Sequence, residues 1–191
     1  MTPFEELAHL FTCGTANRGL LRMDFDEAAA LYKAARGARS VVEIGRKHGG
    51  SAILMAAAMS CGWLVSIDRV APPPELAGQL SGFAPIVTLV TGLSGEVRQD
   101  EAPLPLDLLL IDGDHSYEGA KADWQRWSPL VARDGVVAFH DMAAARSGAT
   151  QWPELARLRD EIVADGNFAI THEVGSLSFF RRLNSPLVRQ A

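Results

Sequence analysis

The 191 residues predict an α/β fold: a three-layer sandwich around a mostly parallel seven-stranded sheet, with one antiparallel strand supplied by a C-terminal hairpin. Three observations carry that expectation. Short apolar, β-branched runs alternate with helix-forming segments through most of the chain, which requires crossover connections and hence parallel pairing. Five successive runs end in glycine or polar residues, as expected where a parallel sheet presents its carboxyl edge to a ligand. The last two runs are separated only by Gly175-Ser176, a connection short enough for a hairpin.

Residues 25–36 are rich in helix formers, follow Asp24 as a plausible cap and stop at Gly37. Residues 40–45 form a first strand that runs into glycines, and residues 51–60 read as a helix. The strand signal returns over Trp63–Asp68, after which Pro72-Pro73-Pro74 opens a helix, since proline is tolerated in a first turn. Residues 85–90 form the third strand, followed by a polar helix near 94–101; Leu106–Ile111 is the fourth, followed by a helix over 117–131. Residues 135–139 make the fifth, then come a loop and a helix over 153–164, and Phe168–Val174 with Leu177–Arg182 closes the chain. The expected organisation is one domain over 1–191: a helical cap (1–37), the sheet core (38–182) and a tail (183–191).

Composition narrows the function. Eighteen Lys and Arg face 23 Asp and Glu, a net charge of −5 without a block of like charge, which argues against a nucleic-acid partner. Cys13 and Cys61 make no zinc-like or redox spacing. The N-terminus MTPFEELAHLF carries acids where a secretory leader is basic, and the apolar stretches are too short to span a bilayer, so a cytoplasmic protein without a membrane partner is expected.

The strand ends carry the chemistry. The first gives Glu43-Ile44-Gly45-Arg46-Lys47-His48-Gly49-Gly50-Ser51, the second Asp68, the third Thr91-Gly92-Leu93-Ser94, the fourth Asp112-Gly113-Asp114-His115 and the fifth His140-Asp141. Glycines at 45, 49 and 50 let a turn tighten and a ligand approach, or simply start a helix; the spacing is neither the dinucleotide GxGxxG nor a P-loop. Asp68 is placed to accept hydrogen bonds from a ribose diol, or to cap a turn. Asp114 reads as a helix cap, and His115 either as a general base near neutrality or as a loop residue touching a cofactor. His140 beside Asp141 is an expensive way to fill a core. Trp124 and Trp127 read as packing residues, Trp152 as a helix anchor or a wall of an acceptor pocket, and His9 and His172 as structural.

Glu43-Ile44-Gly45-x-x-x-Gly49-Gly50-Ser51, Ser66-Ile67-Asp68 and the run Ile111-Asp112-Gly113-Asp114-His115-Ser116-Tyr117 resemble the successive motifs of class I S-adenosylmethionine-dependent methyltransferases. The similarity is greatest to the small-molecule branch that includes caffeoyl-CoA, catechol and macrolide-sugar O-methyltransferases, and covers roughly residues 38–182. The resemblance implies a Rossmann-like core and S-adenosylmethionine as cofactor. Glu43, Gly45, Gly49 and Ser51 would then surround its methionine part, Asp68 and neighbouring Arg69 its ribose, and Gly92, Leu93 and Ser94 its adenine. Asp112 would face both the cofactor amino group and the acceptor; Asp112, His115 and His140 are the expected catalytic set, with His115 also an expected cofactor contact. In metal-dependent members, an aspartate at the position of Asp112 and an Asp/Asn pair after the next strand hold magnesium. Here the pair is His140-Asp141, so Asp112, His140 and Asp141 are the implied ligands, and the histidine favours a softer divalent ion, or none.

The expected activity is O-methylation of a small hydroxylated acceptor, with a homodimer left open. An NAD-dependent oxidoreductase and a non-catalytic cofactor-binding protein of the same fold are the alternatives.

Overall fold

The computed structural model describes residues 3–10, 20–99, 104–143 and 152–184. A 3-10 helix, Phe4–Leu10, leads to α1 (Phe25–Ala35). There follow β1 (Ser40–Ile44), α2 (Gly50–Ala58), β2 (Trp63–Asp68), α3 (Leu76–Leu80), β3 (Ile86–Thr91) and β4 (Leu106–Ile111). The chain continues through α4 (Tyr117–Trp127), β5 (Val131–Phe139), α5 (Pro153–Asp165), β6 (Phe168–Val174) and β7 (Leu177–Arg182).

The seven strands lie in the order β3-β2-β1-β4-β5-β7-β6. β1 to β5 pair in parallel, and β7 alone runs against both its neighbours, β5 and β6. The expected sheet, with its single antiparallel strand, is therefore the observed one. Strand order reverses between β1 and β4, where such sheets open a crevice at their carboxyl ends.

Alternation along each strand divides the core into two layers. Val41, Leu108, Leu110 and Phe179 face α1 and α2, while Val42, Leu109, Ile111 and Phe180 face α4 and α5. Trp124 and Trp127 are packing residues as expected: Trp124 makes edge contacts with Phe168 and Phe180 at 4.8 and 5.6 Å, and Trp127 is fully buried.

Two elements differ from expectation. In place of the helix near 94–101, Ser94 to Glu96 make a turn, with the Ser94 hydroxyl donating to Asp123 on α4, and Gln99 is in 3-10 conformation; residues 100 and 101 lie outside the described chain. The helix over 117–131 ends at Trp127, since Pro129 lacks the amide that would continue it, and a short 3-10 turn, Ser128–Leu130, hands the chain to a β5 that begins four residues early. Much of the loop at 142–151 and of the tail, and the side chain of His9, fall outside the described residues.

Candidate active site

The site lies on the carboxyl edge of β1, β2, β4 and β5, and backbone ladders place its residues there. Past the strand ends, Gly45 N donates to Ile67 O at 2.9 Å, Asp112 N to Ile44 O at 2.8 Å, and His140 N to Ile111 O at 3.0 Å. Each strand is thus held in register one residue beyond its end, and the next side chains emerge on a common rim. Gly45 is required here by close approach: a Cβ on it would collide with the Asp112 carbonyl.

Glu43, fully buried on β1, accepts hydrogen bonds from the hydroxyls of Ser51 on α2 and Ser66 on β2. Burial pushes its carboxyl up to about 7, with the two hydroxyls only partly offsetting the cost of a buried charge. Asp68 accepts from the backbone amides of Arg46 (2.9 Å), Lys47 (2.7 Å) and Val70 (2.7 Å), so it holds the glycine turn against the end of β2. One further lone pair on its carboxylate is all that a ribose hydroxyl would find. Arg46 is 2% exposed, and its guanidinium donates to Ser66 O (2.7 Å), Val70 O (2.9 Å) and Val90 O (3.1 Å), lacing the ends of β2 and β3 together. Gly92 and Leu93 stand open at the β3 end beside exposed Arg69, whereas the Ser94 hydroxyl is turned toward Asp123.

Across the switch point lies a second group. Asp112, His115 and Asp141 are half-buried and each brings a ligand-type atom within 4.8 Å of the others. His115 Nε2 lies 2.9 Å from Asp141 Oδ2, and its ring packs on Trp152 with centroids 4.6 Å apart. The hydrogen bond to Asp141 raises the imidazole pKa above its ordinary value, burial opposing it. Asp141 adopts a left-handed backbone (φ 60), a conformation uncommon outside glycine and one that recurs at functional sites.

His140 is not in that group of three. It is 7% exposed, with Nδ1 3.3 Å from both Asp112 Oδ1 and Asp141 Oδ2 and Nε2 3.4 Å from Glu27 Oε2. Burial alone would lower its pKa, but the three carboxylates raise it to about 12, which favours the charged ring, although neither ring nitrogen is aligned for a hydrogen bond to them. Burial would likewise raise Asp141, yet His115 and His140 hold it well below the usual carboxylate range.

Glu27, on α1, is the residue that sequence reasoning missed. It is 4% exposed, accepts from Ser176 N (2.6 Å), Ser176 Oγ (2.9 Å) and Asp24 N (2.8 Å), and addresses His140 with its remaining capacity. Burial opposes its ionisation, but His140 and the two amides bring its pKa down to about 2. The reciprocal hydrogen bonds between Asp24 and Glu27 form a capping box, readable as D-x-x-E; nothing in that pattern points to His140.

Asp114 is not the cap of α4 that the sequence suggests: Ser116 is, its hydroxyl accepting from Gly119 N, and Asp114 instead accepts from Ser116 N at 2.8 Å, in the turn just ahead of the cap. His48 is exposed, 3.4 Å from an Arg22 nitrogen, and His172 stacks on Phe179 at 4.4 Å, away from the rim.

The family model described as "Methyltransferase domain" matches residues 42–142, more than half of the chain and nearly all of this rim. The chain belongs to the methyltransferase-domain family. The uncharacterized protein y4gI of Sinorhizobium fredii is 33% identical over 100 residues, 49% of this chain but 11% of that protein, so the chain spans only a small part of its curated relative. Among solved structures, the Bacillus cereus O-methyltransferase in complex with S-adenosylhomocysteine matches at TM-score 0.63 and 20% identity, covering 95% of this chain and 90% of that one. The MycE methyltransferase of mycinamycin biosynthesis, in complex with Mg and S-adenosylhomocysteine, matches at TM-score 0.58 and 16% identity over 87% and 56%. Both show the fold of this methyltransferase domain. Among its described residues, no helix is long and apolar enough to cross a membrane.

Proposed function

We propose that this methyltransferase domain binds S-adenosylmethionine at the carboxyl edge of β1, β2 and β3 and methylates a hydroxyl of a small acceptor held beside Asp112, His115 and Asp141. The observation that carries this reading is the convergence of those three side chains at the switch point, next to the glycine turn of a methyltransferase-domain match. The donor set suits the cofactor: a tight turn at 45–51, an acid at the end of β2, and open Gly92 and Leu93 at the end of β3. Bound there, S-adenosylmethionine supplies an electrophilic methyl group.

The chain's own residues supply the rest. With Nε2 of His115 engaged by Asp141, Nδ1 is the nitrogen left to take the acceptor's hydroxyl proton. Asp141 orients the ring and stabilises the imidazolium that forms, and Asp112 aligns the acceptor oxygen. His140, pinned by Glu27, holds Asp112 and Asp141 in place from beneath. Two carboxylates and an imidazole within 4.8 Å also fit a divalent cation, one softer than magnesium, with Asp112, His115 and Asp141 as ligands. Such an ion would supply Lewis acidity that lowers the acceptor hydroxyl's pKa.

Calorimetric titration with S-adenosylmethionine tests the reading. Binding in the micromolar range is expected, and Asp112→Ala is expected to lose methyl transfer to a panel of phenolic and sugar hydroxyls while the cofactor still binds. Absence of heat at high micromolar cofactor, or full transfer by Asp112→Ala, refutes it.

A further inference from the structure

The cleft between the glycine turn and Asp112 is walled on its outer side by residues 20–23, which precede the matched domain. Leu21 and Met23 are buried (1% and 5% exposed). The backbone of this segment presses so closely on the start of α2 that a Cβ on Gly50 would stand 2.5 Å from Leu21 Cα and N and 2.6 Å from Leu20 C. The cleft it leaves, lined also by Gly45, Arg46, Lys47 and Ser51, is about 20 Å³. That is room for about one water, whereas small-molecule sites run to several hundred Å³.

The chemistry of the rim therefore suits the cofactor while the space does not. We propose that residues 20–23 are a strap that occludes the cofactor cleft, and that the cofactor is held there only with the strap lifted from Gly50. This rests on the methyltransferase reading above. Two features make the closed state reversible. The Nε of Arg22 on the strap is buried without a hydrogen-bond partner, a penalty that opening relieves. At its outer end the strap is fastened by the 3.4 Å contact between Arg22 and exposed His48, a weak clasp.

The test follows amide hydrogen exchange in the full chain with and without S-adenosylhomocysteine, beside calorimetry on the wild type and on Gly50→Ala, whose added methyl pushes the strap away. In the wild type, ligand should speed exchange at residues 21–23 and slow it at 45–51. Gly50→Ala should bind S-adenosylhomocysteine roughly tenfold more tightly, because apparent affinity scales with the population of the open state. Binding with exchange at 21–23 unchanged or slowed overturns the strap and leaves the methyltransferase reading intact. No binding heat in either protein overturns that reading and the strap with it. If Gly50→Ala does not fold, the wild-type exchange pattern decides alone.

Discussion

Glu27→Gln is the most informative single substitution, because it removes one charge from a buried contact and keeps nearly the same shape. The Glu27 carboxyl stands at about 2 in the folded chain against 4.5 for the free group. At about 1.4 kcal/mol per tenfold, that difference is worth about 3 kcal/mol of stability at neutral pH. Reading the same contact from His140 would give more, because Asp112 and Asp141 also address that ring, and the Glu27 figure itself covers the Ser176 and Asp24 amides together with His140, all of which the charge on Glu27 strengthens. Because the folded pKa is depressed, the contribution is present above about pH 4.5 and is lost as the pH falls through about 2. Urea unfolding followed by tryptophan fluorescence should therefore show Glu27→Gln destabilised by about 3 kcal/mol at pH 7, and by about 1 kcal/mol at pH 3. A difference below roughly 1 kcal/mol at pH 7, or one of equal size at both pH values, would refute the ion pair.

His140 has the opposite sign: its raised pKa gives stability that is full below about 6.5 and declines as the pH climbs toward about 12, so wild type should lose urea resistance between pH 8 and 10 and His140→Gln should not. His115 should titrate above its ordinary range by histidine NMR, and Asp141→Asn should bring it down; an unchanged midpoint would remove Asp141 as its partner. Manganese binding followed by electron paramagnetic resonance should weaken at least tenfold in Asp112→Asn and Asp141→Asn, consistent with the loss of a charged ligand. Thermal shift should show protection by S-adenosylmethionine and none by NAD; protection by NAD alone would favour the oxidoreductase alternative.

Most of the fold was legible because it is repetitive. Each strand of the core is a short apolar run, and Trp63–Asp68, Leu106–Ile111, Phe168–Val174 and Leu177–Arg182 lie where the sequence places them. One boundary failed where a proline overrode the pattern, at Pro129 after α4. In the site, Asp112, His115, His140 and Asp141 could be singled out because each closes or follows an apolar strand. Glu27 could not: its partner Ser176 is 149 positions away and its own helix reads as an ordinary amphipathic one. Arg46 stands in the sequence only as part of the glycine turn, since nothing local shows that its guanidinium runs inward to three carbonyls.

The histidine at position 140 decides how the site balances charge. Glu27, Asp112 and Asp141 converge on it, so a charged ring there offsets one of the three carboxylates and leaves the cluster negative. An uncharged side chain there would leave more negative charge to attract a divalent ion, whereas the imidazolium supplies a fixed cation already within 3.3 Å of Asp112 and Asp141. A charged His140 would thus lower the affinity of Asp112, His115 and Asp141 for a metal, and the proposed role of His115 as base needs none. Glu27, which faces His140, lies on α1 ahead of the matched domain, and the proposed strap, residues 20–23, lies ahead of α1. On the two proposals together, the N-terminal segment would act on both halves of the reaction, through the charge beneath the acceptor side and through access on the cofactor side.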